Sequence, residues 1–289
     1  MASRARQGWF RSAWSAQHRP VSAARTALAF AVIVGATGCS VSSPPTRDAA
    51  PIASPLAPRP PGAPTAAARP VALVYRGPAG CDGCSEAVVA WLGAALPTYA
   101  IGFVGPGEAT PVRQGSLASA ALYVQPGGDG SVAEASVRLT AGEQHAIAAW
   151  VRAGGRYLGI CQGAYLAGSD PGMGLLSPAD TGEYIASRGA TTTRPEDALV
   201  PLRWEGRTVY AYFQDGPYVG DDLTGVTVIA RYTNGRVAAA AKNVGAGRVA
   251  VIGTHPEAPL RWYALAGLSP ADRAANQAVG DALLAVLLR

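Results

Sequence analysis

Beyond residue 70 the apolar positions fall into short dense runs separated by glycine, proline and small polar residues. "VALVYRG" (71–77), "YAIGFVG" (99–105), "ASAALYVQPGG" (118–128) and "GGRYLGI" (154–160) are too short for helices and apolar throughout, the pattern of strands buried on both faces. Between them the period lengthens to helical spacing. "SEAVVAWLGAAL" predicts a helix with Ser85 as its N-cap, and "TAGEQHAIAAWVRAGG" predicts one with Thr140 as cap, Glu143 three positions on and Gly154 as stop. Residues 170–200 are polar and irregular and read as a loop or flap. "LVPLRW", "RTVYAYF", "VTVIARY", "GRVAAAAKN" and "GRVAVIGTH" then predict a run of strands, several antiparallel, and "SPADRAANQAVGDALLAVLL" a closing helix capped by Ser269. Strands alternating with helices imply an α/β domain over 71–289: a parallel sheet with helices on both faces, plus additional antiparallel strands in the C-terminal half.

The residues before 71 follow other rules. Arg25 precedes the apolar run "ALAFAVIVGATG" (27–38), which at about a dozen residues is short for a membrane span and suits an export signal. "ATGC" resembles the bacterial lipobox, so residues 1–38 are expected to be a lipoprotein signal peptide and Cys39 the lipidated residue. A plain secretory peptide is the other reading, and the long charged stretch ahead of the run leaves a start near Val21 open. Residues 39–70, rich in Pro, Ala and Ser, have little to bury and suit a solvated linker. The expected place is the bacterial cell envelope, with the membrane as partner through the anchor. The net charge of +5 comes from the leader: its five arginines (Arg4, Arg6, Arg11, Arg19 and Arg25) face no acid, and removing them leaves 19 basic against 19 acidic residues. No surplus remains to neutralise phosphates, so no nucleic-acid partner is expected.

In open α/β sheets ligands gather beyond the carboxyl ends of the strands. Three segments are expected there: "PGG" (126–128), "GICQGAYLAG" (159–168) and "THPEA" (254–258). G-x-C-x-G at a strand-to-helix junction suits a nucleophile held on a tight turn. A helix N-terminus and the imidazole of His255 would favour the Cys161 thiolate, Glu257 would orient that imidazole, and the Gly128 and Gln162 backbone N–H groups would bind an oxyanion. The set suits acyl transfer through a thioester; a small buried cysteine at a tight junction is the alternative. "YFQDGPYV" places a turn where Tyr212 and Asp215 could face a small-molecule or peptidic ligand, or could simply flank a hairpin. Cys81 and Cys84 in "GCDGCSE" form a C-x-x-C after the first strand: a disulfide stiffening the loop outside the cytoplasm, or a thiol-disulfide redox pair. The histidines are too few for a convincing zinc set, and neither metal nor cofactor is expected.

The order PGG, G-I-C-x-G, H-P-E resembles the class I glutamine amidotransferase superfamily. "LVYRGPAGC", "YVQPGGDG", "GGRYLGICQGAYLAG" and "YAYFQDGPYV" are similar to the domain at the N-terminus of biotin-protein ligases. The resemblance implies a flavodoxin-like sheet and a triad of Cys161, His255 and Glu257. It departs at Tyr165, which stands where glutamine amidotransferases commonly carry a glutamine, making Tyr165 a candidate substrate contact for a different ligand. The activity it implies is a cysteine-dependent amidase or acyl transferase; a ligand-binding module of the same fold is the alternative.

Overall fold

The computed structural model describes residues 68–168, 172–177, 181–220 and 223–289. The signal-peptide reading, Cys39 and the linker reading up to residue 67 lie outside them. Five parallel strands form the first half of the sheet: β1 (Val71–Tyr75), β2 (Ala100–Val104), β3 (Ala120–Gln125), β4 (Arg156–Ile160) and β11 (Gly247–Ile252), in the order β2-β1-β3-β4-β11. This is the flavodoxin-like order with β11 as fifth strand. Beyond β11 the sheet turns antiparallel through β10 (Val237–Val244), β9 (Val226–Tyr232), β6 (Ala198–Trp204) and β7 (Arg207–Phe213). Two short strands, β5 (Thr181–Glu183) and β8 (Pro217–Val219), pair with each other, and β8 joins the edge of β10.

Helices cover both faces. On one, α1 (Cys84–Ala95) and α7 (Arg273–Leu287) set Val88, Trp91, Leu92, Val279, Leu283 and Leu287 against Val74, Val124 and Ile160. On the other, α2 (Gln114–Leu117), α3 (Val132–Arg138) and α4 (Ala141–Arg152) bring Leu117, Ala135, Ile147 and Val151 onto Leu73, Tyr123 and Val249. The capping box of Thr140 and Glu143 is formed, and Ser131 with Glu134 makes a second one on α3. Two short helices complete the set: α5 (Gln162–Leu166), after β4, and α6 (Leu260–Leu265).

Three expectations need correction. α1 begins at Cys84 with Gly83 in the left-handed N-cap position, and Ser85 is buried with its hydroxyl donating to the Tyr75 carbonyl at 2.8 Å. That bond ties the helix to β1, which a cap would not. Ser269 accepts from Ala271 N–H at 3.3 Å in the approach to α7, whose N-cap is Asp272. The DGP segment is no hairpin: β7 pairs with β6 while β8 pairs with β5 and β10, so Asp215 lies where the chain crosses between neighbours.

Candidate functional site

β1 is the point where chain order reverses, with β2 on one side and β3 on the other, so the loops after β1 and β3 flank a crevice. The ends of β4 and β11 open beside it. Cys161 takes φ 51° and ψ −111°, backbone that a residue with a side chain rarely adopts. The neighbouring chain enforces it. Cys161 N–H still pairs with the Ile252 carbonyl at 2.9 Å, continuing the β4–β11 ladder, and Ala164 N–H already reaches back to the Cys161 carbonyl at 2.9 Å. The turn closes so tightly that a Cβ on Gly163 would stand 2.1 Å from the Gln125 carbonyl oxygen. Tyr157 donates its hydroxyl to the Gly163 carbonyl at 2.7 Å from beneath.

His255 follows β11 and is 1% exposed. Its N–H donates to the Tyr212 carbonyl at 2.8 Å and its carbonyl accepts from the Asn276 amide at 2.8 Å, so strand β7 and helix α7 hold its backbone from two sides. Nδ1 meets Glu257 Oε1 at 2.8 Å. The segment is a turn, closed by Ala258 N–H on the His255 carbonyl at 3.2 Å, which folds Glu257 back onto the ring. Tyr212 and Trp262 stand edge-on to the imidazole, with centroids 6.0 and 5.6 Å away. Burial works against a charged ring here, but the Glu257 carboxylate and Cys161 outweigh it and raise the His255 pKa well above the ordinary 6.5. Nε2 faces Cys161 without a well-formed hydrogen bond, while the thiol itself donates to the Gln214 carbonyl at 3.2 Å.

The loop after β3 completes the cluster. A Cβ on Gly127 would come 2.9 Å from His255 Cε1 and 3.8 Å from Cys161 Cβ, so only glycine lets this backbone so near the imidazole. The Gln162 side chain lies over Gly128 and donates to the Gly130 carbonyl at 3.1 Å. Cys81 and Cys84 form a disulfide, and Cys81 N–H donates to the Gly127 carbonyl at 3.1 Å. The bridge packs with Tyr212, Trp262 and Tyr263, the first two of which stand against His255.

Tyr165 donates to the Asp215 carbonyl at 3.3 Å. Burial, then Asp215, Cys161 and Glu183, raise the Tyr165 pKa, which keeps its hydroxyl protonated. Tyr212 is almost wholly buried and stands edge-on to His255. Among the described residues no group of three or more His, Cys, Asp or Glu could hold a metal ion. Sequence reasoning missed Gln214, whose contact is a backbone carbonyl, and Asn276. The latter did leave a trace: it is a polar residue one turn before Val279 and Gly280 on the buried stripe of α7.

Residues 71–171 match the family model for the N-terminal domain of biotin-protein ligase. Over this stretch, from the first strand through the elbow, the chain is similar to that family. Solved structures agree on the fold. PurLQS from Thermotoga maritima superimposes with a TM-score of 0.50 at 19% identity, over 76% of this chain and 100% of that one. A glutamine amidotransferase from Thermotoga maritima gives 0.54 at 11% identity, over 77% of this chain and 99% of that one. Comparison with curated protein sequences gives no match. The family match ends at residue 171, so His255 and Glu257 lie outside it and their place in the site rests on the geometry above.

Proposed function

We propose that this amidotransferase-like domain is a cysteine-dependent amidase or acyl transferase with Cys161 as nucleophile, acting outside the cytoplasm on a small or peptidic ligand. The observation that supports this reading most is the strained backbone of Cys161 beside a buried imidazole that Glu257 biases toward the charged form. The thiol proton passes to His255 Nε2, and the thiolate adds to the substrate carbonyl carbon. The resulting oxyanion is received by the Gln162 N–H, which opens α5 and has no intrahelical acceptor, and by the Gly128 N–H. Cys81 fixes the Gly127 carbonyl, and in a trans peptide this turns the Gly128 N–H away from the disulfide loop. When the tetrahedral adduct collapses, the amine leaves with the proton from His255, and water or an acceptor amine then cleaves the thioester. The apolar run before Cys39 supports export and lipid anchoring in the cell envelope. Intact-mass profiling with electrophilic amide and thioester probes tests the chemistry. An acyl increment on Cys161 that decays with time, absent in Cys161→Ser, is expected; probes that leave Cys161 unmodified while labelling free thiols would overturn it.

A further inference from the structure

The Cys81–Cys84 bridge takes no chemical part in acyl transfer, yet it joins the two loops that flank the crevice. A bridge across a sequence separation of 3 stabilises a fold less than one closing a long loop, so global stability is a poor account of it. Its contacts are local to the site. Cys81 N–H donates to the Gly127 carbonyl at 3.1 Å, and Cys84 N–H closes the turn on the Cys81 carbonyl at 3.2 Å. A Cβ on Gly80 would stand 3.7 Å from Pro126 Cγ and 3.8 Å from the Gly127 oxygen, so the loop after β1 lies directly on the loop after β3.

The two sulfurs have little room to separate. Cys84 is 0% and Cys81 7% exposed, and Tyr212, Ala258, Trp262 and Tyr263 close around them. On the turn itself Gly83 takes φ 76°, and a Cβ there would stand 2.6 Å from the Arg261 guanidinium. Two unbonded thiols need more space than a bonded pair, and a close-packed wall yields it only by displacement. The Ser85 hydroxyl ties the start of α1 to β1, so the displacement falls on the Cys81 side of the turn. The bond that loosens there is the one that sets the Gly127 carbonyl and, across the trans peptide, the Gly128 N–H.

We propose that the Cys81–Cys84 bridge is a redox switch for the oxyanion loop: the chain is competent in acyl transfer as the disulfide and incompetent as the dithiol, while Cys161 remains a nucleophile in both. The inference rests on Cys161 being the nucleophile, and ties that site to the oxidation state of a second pair of thiols. In the switching step one thiolate of the pair attacks a disulfide donor and expels one donor thiolate. The second thiolate attacks the cysteine sulfur of that mixed disulfide and expels the other. Two electrons pass to the donor, whose two thiolates take up the two cysteine protons. Cys84 opens the twelve-residue α1, whose N-terminus favours its thiolate in this step. Once formed, the buried bridge resists exchange, so the switch is set where a disulfide donor is first met.

Two reactions of Cys161 separate the oxyanion loop from the thiolate. Alkylation by iodoacetamide forms no oxyanion, whereas acetylation by 4-nitrophenyl acetate, with 4-nitrophenolate leaving, passes through one. Both are followed by mass at Cys161 in the full chain, for the bridged wild type, the wild type unfolded and refolded under a phosphine, and Cys81→Ser/Cys84→Ser. The acetylation-to-alkylation ratio cancels any change in the thiolate fraction. It should fall at least about tenfold in both forms without the bridge, while alkylation continues. An unchanged ratio in either folded form would overturn the switch and leave the nucleophile standing. Failure of both forms to regain a cooperative unfolding transition would assign the bridge to folding and overturn the switch as well. A bridged wild type that takes no acetyl group at Cys161 would overturn the acyl-transfer reading and the switch with it.

Discussion

His255 and Asp215 are the two residues at which the site's chemistry can be read by titration. The carboxylate of Glu257 and Cys161 together overcome burial at His255, so the imidazole should stay protonated above its ordinary range in a histidine-resolved NMR titration. Glu257→Gln removes one of the two favourable charges and should lower that value; an unmoved resonance would show that the 2.8 Å contact does not support the imidazolium. For Asp215 the folded-state pKa of about 7 lies above its ordinary 3.8. The folded protein therefore holds this proton more firmly than the unfolded chain, and the contribution is complete below the lower value and lost as pH rises through the higher. Urea unfolding should show the wild type losing stability between pH ~4 and ~7 relative to Asp215→Asn. Parallel pH profiles for the two proteins would contradict the raised value.

The elements that position the site divide by how their signals arise. Strands β1 to β4 and helix α4 were legible because burial on both faces demands unbroken apolar runs and a capping box has a fixed spacing. The elbow was legible for the same reason, since G-x-C-x-G has few uses at a strand-to-helix junction. The crossing of β8 was not: three residues carry no period, and only pairing with β5 and β10 defines them. Likewise Ser85 looked like a cap because the residues around it do not reveal that β1 lies within reach of its hydroxyl. Three substitutions test how the elements meet. Gly127→Ala would press on the imidazole at 2.9 Å and should cost about 1–3 kcal/mol. It should also slow alkylation of Cys161, whereas full reactivity would show that the imidazole has room to yield. Asn276→Ala removes the bond to the His255 carbonyl and should cost about 1–3 kcal/mol in chemical denaturation. Cys84→Ser opens a very short loop, for which chain entropy gives about 2 kcal/mol, and should leave Cys161 able to react. An insulin-reductase activity lost in that variant would instead assign the bridge to redox catalysis.

At the scale of the whole molecule, a parallel sheet collects its loops at one end, and here four loops from distant parts of the sequence supply Cys81, Gly127, Cys161 and His255. The antiparallel half adds the Gln214 carbonyl and Asp215 from the side. Ahead of the domain, the segment from Arg25 to Cys39 makes its own prediction: mature protein from a bacterial host should begin at Cys39 with a lipid-sized mass increment and partition into detergent. Soluble protein cut elsewhere and unaffected by Cys39→Ser would contradict the anchor. The claim on which the rest depends is that Cys161 and His255 act as one unit. The most direct measurement is the rate of iodoacetamide labelling of Cys161 at neutral pH in the wild type, His255→Ala and Glu257→Gln, with each site identified by mass. The account predicts rapid labelling in the wild type, a loss of at least roughly tenfold without the imidazole, and a smaller loss in the same direction for Glu257→Gln. Slow labelling in all three proteins, indifferent to both substitutions, would contradict it.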